Sequence, residues 1–291
     1  MADTGRLEKA IVRNALLACL LSQAHCVQAH EFWFAPIASP QVAGHNVTLR
    51  LEVGEYFNGD AAGFSIPTTH ALRHFTAKNP VEDLKPFLPA KEREAEVELA
   101  LDTPGTHLLV YDSVPLHIEL EAGKFNAYLR DEGLDVVMAQ REKTGTSGQP
   151  GRERYRRHIK TLVQVGPAHQ AAQALDPTYA KHASQRLEII PLHNPLALAP
   201  GQSLPARIVF DDKPLAGALV KAWHKHNGQL VVIRAITSAQ GEVVFNLPQA
   251  GDWMVSLVHM IPAVDSDDEG VDWDSFWGNL SFNLPERSPV E

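Results

Sequence analysis

The chain of 291 residues has only two cysteines, Cys19 and Cys26, and both lie near its start. Removal of the first 29 residues, argued below, leaves a mature protein with none, which excludes disulfides and thiolate metal sites. It also lacks any excess of positive charge: 26 Lys and Arg stand against 35 Asp and Glu, a formal net charge of −9. Such a chain repels a phosphate backbone, so nucleic acid is not an expected partner. No apolar run reaches the roughly 20 residues that cross a bilayer as a helix, and the protein is expected not to be integral to a membrane. Catalytic signatures are missing too: there is no His-Glu-x-x-His, no nucleophile elbow and no phosphate-cradling glycine loop. The sequence thus offers no positive case for an enzyme.

What is present begins with an export signal. Arg6, Lys9 and Arg13 precede the apolar run from Ala15 to Leu21, and Val27-Gln28-Ala29 places small residues where a signal peptidase cuts. We expect residues 1–29 to be a signal peptide, His30 to begin the mature chain, and the protein to be periplasmic. Ser22-Gln23-Ala24 also satisfies the small-residue rule, and Leu16-Leu17-Ala18-Cys19 loosely resembles a lipoprotein box.

Alternation of apolar and polar residues from Asn46 onward reads as half-buried strand, and similar runs follow at 96–101, 107–111 and 116–120. Between Lys124 and Arg141 the spacing turns helical. Asp131-Glu132-Gly133 interrupts it, which predicts one or two short helices. The basic stretch Arg152, Arg154, Arg156, Arg157 reads as an exposed strand or loop paired with acidic neighbours. After an Ala-, Gln- and Pro-rich segment come apolar runs at intervals of about 8–12 residues, the spacing of a β-sandwich. The expected fold is mainly β: two immunoglobulin-like or prealbumin-like sandwich domains, the first with one or two short helices. The expected division is an N-terminal domain over 30–166, a linker over 167–185, a C-terminal domain over 186–284 and a tail over 285–291.

Fourteen histidines are about twice the usual share, which draws attention to imidazole chemistry. Exposed by cleavage, His30 offers an α-amine and a ring nitrogen that close on one ion as a chelate, a donor set suited to nickel, cobalt, copper or zinc. The plainer reading is that His-Glu-Phe-Trp anchors the terminus by burying Phe32 and Trp33. His259, near the end of an apolar strand and just before an acidic loop, is the candidate second imidazole. His224 and His226 share a strand face but read as solvated residues beside a turn. The loop 265–274 has many carboxylates without the ligand order of a calcium-binding EF-hand, and reads as a solvated loop.

From His30-Glu31-Phe32-Trp33 the chain resembles a bacterial periplasmic domain-of-unknown-function family identified as the periplasmic component of a cobalt or nickel uptake system. The resemblance continues through Lys124 to Leu129, Glu132-Gly133-Leu134-Asp135, Arg152-Glu153-Arg154-Tyr155, Leu187 to Pro191, Trp253 to Met260 and Asp272 to Trp277. It implies a transition-metal ion (Ni, Co or Cu) as ligand, a membrane transporter component as partner, and His30 and His259 as the matching imidazoles. A copper histidine brace with redox activity and a metal-free structural or interaction module of the envelope are the alternative readings.

Overall fold

The computed structural model describes residues 31–78, 81–91, 96–166, 176–226, 228–263 and 270–286. Residues 1–30, and with them the expected signal peptide and His30, lie outside the described residues, as does 264–269 of the acidic loop.

The chain is mainly β and sandwich-like. Its first strands are β1 (Glu31–Phe34), β2 (Asn46–Glu55), β3 (Asn58–Ala62), β4 (Thr69–Phe75), β5 (Glu82–Asp83), β6 (Glu96–Ala100), β7 (Gly105–Ser113) and β8 (Leu116–Leu120). Two helices follow, α1 (Ala122–Asp131) and α2 (Asp135–Thr144), then the long strand β9 (Gly151–Val165). The remaining strands are β10 (Leu187–Pro191), β11 (Ser203–Phe210), β12 (Lys213–Pro214), β13 (Leu219–His226), β14 (Gln229–Ile236), β15 (Glu242–Asn246), β16 (Gly251–Pro262) and β17 (Trp273–Leu284). Among the described residues no helix is long and apolar enough to cross a membrane.

Three sheets form three layers. A nine-stranded sheet, ordered β14-β13-β16-β17-β9-β7-β4-β5 with β8 also on β9, lies between two four-stranded sheets. One outer sheet joins β1, β2, β3 and β6; the other joins β10, β11, β12 and β15. Alternation along each central strand feeds both interfaces, because successive side chains point to opposite faces. On β7, Leu109 and Tyr111 pack with Phe34, Leu49 and Leu51 of the first outer sheet, whereas Leu108 and Val110 pack with Leu187, Ile189 and Leu204 of the second. Helices α1 and α2 extend the first outer layer, setting Phe125, Leu129 and Val137 against Val258, Trp273 and Trp277.

One sheet crosses the boundary expected at 167–185. β9 and β17 pair in parallel from Glu153 opposite Trp273 to Leu162 opposite Phe282. The sequence before that segment and the sequence after it therefore share a single hydrogen-bonded layer. The described end of the segment is packed, with Thr178, Ala183 and Gln185 buried. β9 is also not the exposed strand that its arginines suggest. It sits between β17 and β7, and Arg152, Arg154 and Arg156 pair with Asp272 and Asp274.

Candidate functional site at the amino-terminal strand

β1 crosses the middle of the central sheet and is held there by a row of polar side chains. Lys221, Ser256 and Asn279 stand directly opposite one another on β13, β16 and β17. Ser256 Oγ accepts from Trp223 Nε1 at 2.8 Å and donates to Glu31 Oε1 at 3.0 Å. Asn279 Nδ2 donates to the carbonyl of Phe32 at 2.6 Å. The first two described residues are thus fixed, one by its side chain and one by its backbone. Trp33 completes the anchor by packing with Phe57, Trp223 and Met254.

Charge is concentrated around this row. Glu31 is 8% exposed, and burial pushes its carboxyl above the usual range against the opposing effects of Ser256, Lys221 and Arg157. Lys221, 1% exposed, donates to Asp131 Oδ2 at 2.9 Å and to Glu132 Oε1 at 2.8 Å. Both carboxylates come from the end of α1. Gly133 stops that helix at φ 67°, where a side chain would be strained and its Cβ would meet Leu219 Cβ at 2.8 Å. Burial, reinforced by the charge of Glu31, pushes Glu132 up to about 7.

The next row of the same face is aromatic. Val258, Trp277 and Arg157 stand opposite one another, and the Arg157 guanidinium lies over Trp277 at 4.7 Å, Tyr155 at 5.2 Å and Phe32 at 5.5 Å. Tyr128 of α1 stacks on Trp277 with centroids 5.5 Å apart. Below them Ser275 Oγ donates to Glu153 Oε2 at 2.6 Å, and burial pushes Glu153 up to about 7. Four buried polar atoms of this layer, Trp33 Nε1, Tyr128 Oη, Glu153 Oε1 and Asn279 Oδ1, have no hydrogen-bond partner among the described residues.

The raised pKa of Glu153 gives a signed prediction. Its proton is held more tightly in the fold than in the unfolded chain, so its contribution to stability is full below about 4.5 and is lost as pH rises through about 7. Glu153→Gln keeps an acceptor for Ser275 and removes that loss. The variant is expected to match the parent near pH 4.5 and to exceed it by about 1–3 kcal/mol at pH 8 in urea unfolding. A parent whose stability is flat across that range contradicts the assignment.

His259 lies elsewhere. On β16 the residues Trp253, Val255, Leu257 and Ile261, of its own parity, pack toward the second outer sheet, while Ser256 and Val258 face β1 and α1. The imidazole meets Phe210 edge-on at 4.4 Å, with Asp211 and Arg186 as its charged neighbours. Burial pushes it down to about 4, so it is neutral at ordinary pH, the form that binds metals. Three residues of strand, about 10 Å, and the thickness of the sheet separate it from the contact made by Glu31. The structure does not bring the described end of β1 to His259. His224 is not the solvated residue expected: it is fully buried, stacks on Trp253 at 4.4 Å, and its Nδ1 donates to the carbonyl of Asp252. The side chain of His226 is outside the described set. Among the described residues no group of three or more His, Cys, Asp or Glu is placed to hold a metal ion. The acidic loop ends in ion pairs rather than in solvent, with Asp272 held by Arg152 and Asp274 by Arg154.

Sequence reading did not reach Lys221, Ser256, Asn279, Tyr128 or Glu153 as site residues. For Lys221, Ser256, Asn279 and Glu153 the only sequence signal is polarity at inward positions of strands buried on both faces, and for Tyr128 it is a place on the apolar face of α1. Several blocks that carry the family resemblance nevertheless converge here: Glu31, Glu132 and Glu153 all act on Tyr128, which packs with Val258 and Trp277.

Residues 27–261 match the family described as Domain of unknown function (DUF4198), and the chain belongs to that family. No curated protein matches it. Among solved structures, it is similar to the fibronectin(III)-like modules of Clostridium thermocellum CbhA, at 11% identity over 89% of this chain and 99% of that one, with a TM-score of 0.19. A second is the D0-D1 domain of Intimin, at 14% identity over 87% and 97% of the two chains, with a TM-score of 0.20.

Proposed function

We propose that this is an exported periplasmic protein that binds a transition-metal ion, nickel or cobalt with copper as the alternative, at the amino terminus of its mature chain, and delivers it to a membrane uptake component. The observation that carries this reading is the double grip on Glu31 and Phe32 by Ser256 and Asn279. Cleavage after Ala29 makes His30 the first residue, with its Cα about 3.8 Å from that of Glu31. A terminus that follows directly on two fixed residues has less freedom to lose when it closes its amine and ring on an ion than one at the end of a free tail. The ion is cargo in this reading, and no residue is assigned a catalytic role.

His259 belongs to the other face of the sheet and is not assigned to this site. The test is a titration of the secreted protein with Ni²⁺ and Co²⁺, beside His30→Ala and His259→Ala. Loss of an outer partner of a ligand already costs about 10–100-fold in affinity, so loss of the donor itself is expected to cost at least about 100-fold in His30→Ala. His259→Ala is expected to bind as the parent does. Equal affinity in all three proteins overturns the proposal, and loss in His259→Ala alone moves the site across the sheet.

A further inference from the structure

Two other histidines are joined in a relay at the far edge of the central sheet. His74 on β4 and His107 on β7 are 7% and 1% exposed, and their rings are stacked with centroids 4.9 Å apart. His74 Nδ1 lies 3.1 Å from Glu82 Oε2, His74 Nε2 lies 2.8 Å from His107 Nδ1, and His107 Nε2 lies 2.6 Å from the carbonyl oxygen of Thr103. All four ring nitrogens are engaged in one line, and both ends of the line are acceptors.

Counting protons gives the consequence. Each neutral imidazole owns one N–H, so the pair supplies two protons for three contacts. His107 must donate to Thr103, because a backbone carbonyl only accepts. His107 Nδ1 is then an acceptor, and His74 Nε2 must donate to it. With both rings neutral, His74 Nδ1 turns a lone pair toward the carboxylate of Glu82. A third proton on the line turns that contact into a hydrogen bond. We infer that His74 and His107 bind a single shared proton between Glu82 and Thr103, and that this proton fastens the β5 edge of the central sheet.

The surroundings set where the proton binds. Burial holds both imidazoles below their ordinary range; Glu82 opposes this at His74, and the Thr103 carbonyl and Asp176 oppose it at His107. The charge of one ring lowers the proton affinity of the other, so a second proton is excluded and the pair titrates as one unit. Uptake therefore falls on the acid side of an ordinary histidine. Glu82 raises the proton affinity of His74, and by linkage the proton favours the docking of Glu82. β5 has only two residues, paired as Arg73 with Asp83 and His74 with Glu82; the chain just beyond is held by Leu84, whose side chain is buried and whose N–H donates to the Leu72 carbonyl at 2.8 Å, so the proton adds one contact at the solvent end of this edge. At neutral pH the line is one proton short, and the opening falls at Glu82, the end nearer solvent, where the side chain is 44% exposed.

Nitrogen-15 NMR of the imidazoles in the full chain, from pH 8 to pH 4, tests this. The rings of His74 and His107 are expected to report one common step, with His107 Nε2 protonated throughout and His74 Nδ1 gaining the proton. In Glu82→Gln, an exposed position that does not endanger folding, the step is expected to move down by about one unit or more, since a neighbouring carboxylate shifts a histidine by that much. A one-unit shift is a tenfold linkage, so amide exchange at Glu82 to Leu84, corrected for its intrinsic pH dependence, is expected to slow by up to about tenfold as the proton binds. Two separate steps accounting for two protons overturn the inference. So does a midpoint that Glu82→Gln leaves unchanged.

Discussion

Lys160→Met is expected to destabilise the protein by about 3–5 kcal/mol, the cost of leaving a buried charge without its partner. Lys160 and Glu188 are 1% and 0% exposed, and the ammonium donates to the Glu188 carboxylate and, at 3.2 Å, to the carbonyl of Ile189. Glu188 also accepts from the backbone N–H of Ala183 at 2.7 Å. Burial drives the Lys160 ammonium below its ordinary range and Glu188 pulls it back up; the other Glu188 oxygen lies 3.2 Å from His182 Nε2. The pair joins β9 to β10, tying the central sheet to the second outer sheet across the expected domain boundary. Lys160→Met with Glu188→Gln removes both charges while keeping an acceptor for Ala183, and is expected to recover most of the loss. Urea unfolding at neutral pH reads both variants as shifts in midpoint with an unchanged slope. A single-variant loss below about 1 kcal/mol, the range of an exposed pair, contradicts this account.

The second large effect concerns the terminus. A secreted chain that begins at Ala29 keeps the His30 ring, Glu31 and the whole fold, and displaces only the free amine by one residue. If the amine and ring of His30 together hold the ion, this single added residue is expected to weaken Ni²⁺ binding by at least about 100-fold. Thermal unfolding without metal is expected to stay the same, because the added residue leaves the anchoring contacts of Glu31 and Phe32 in place. An added alanine that leaves affinity unchanged shows that the amine is not a donor.

Much of the fold was legible because its apolar period is strong. The helical spacing from Lys124 to Arg141 and its break at Asp131-Glu132-Gly133 became α1 and α2, and the apolar runs after residue 186 became β10, β11 and β13 to β17. The first half of β9 was not legible as a central strand. Its arginines alternate correctly, but their partners Asp272 and Asp274 lie more than a hundred residues away and come together only through the parallel pairing with β17. β3 and β5 were missed for a different reason: they are short, exposed and carry no apolar period. At the site, alternation placed His259 on one face of its strand, yet nothing in the sequence tells which face β1 covers. That choice is made by Lys221, Ser256 and Asn279, whose alignment depends on the register of three strands.

Metal binding by a processed terminus stands or falls on where the secreted chain begins. Intact mass of the native exported protein, with its metal content from the same sample, is the direct measurement. The expected result is a chain starting at His30 and carrying one nickel, cobalt or copper ion. A chain starting at any other residue, or one starting at His30 that retains no metal after equilibration with these ions, contradicts the account.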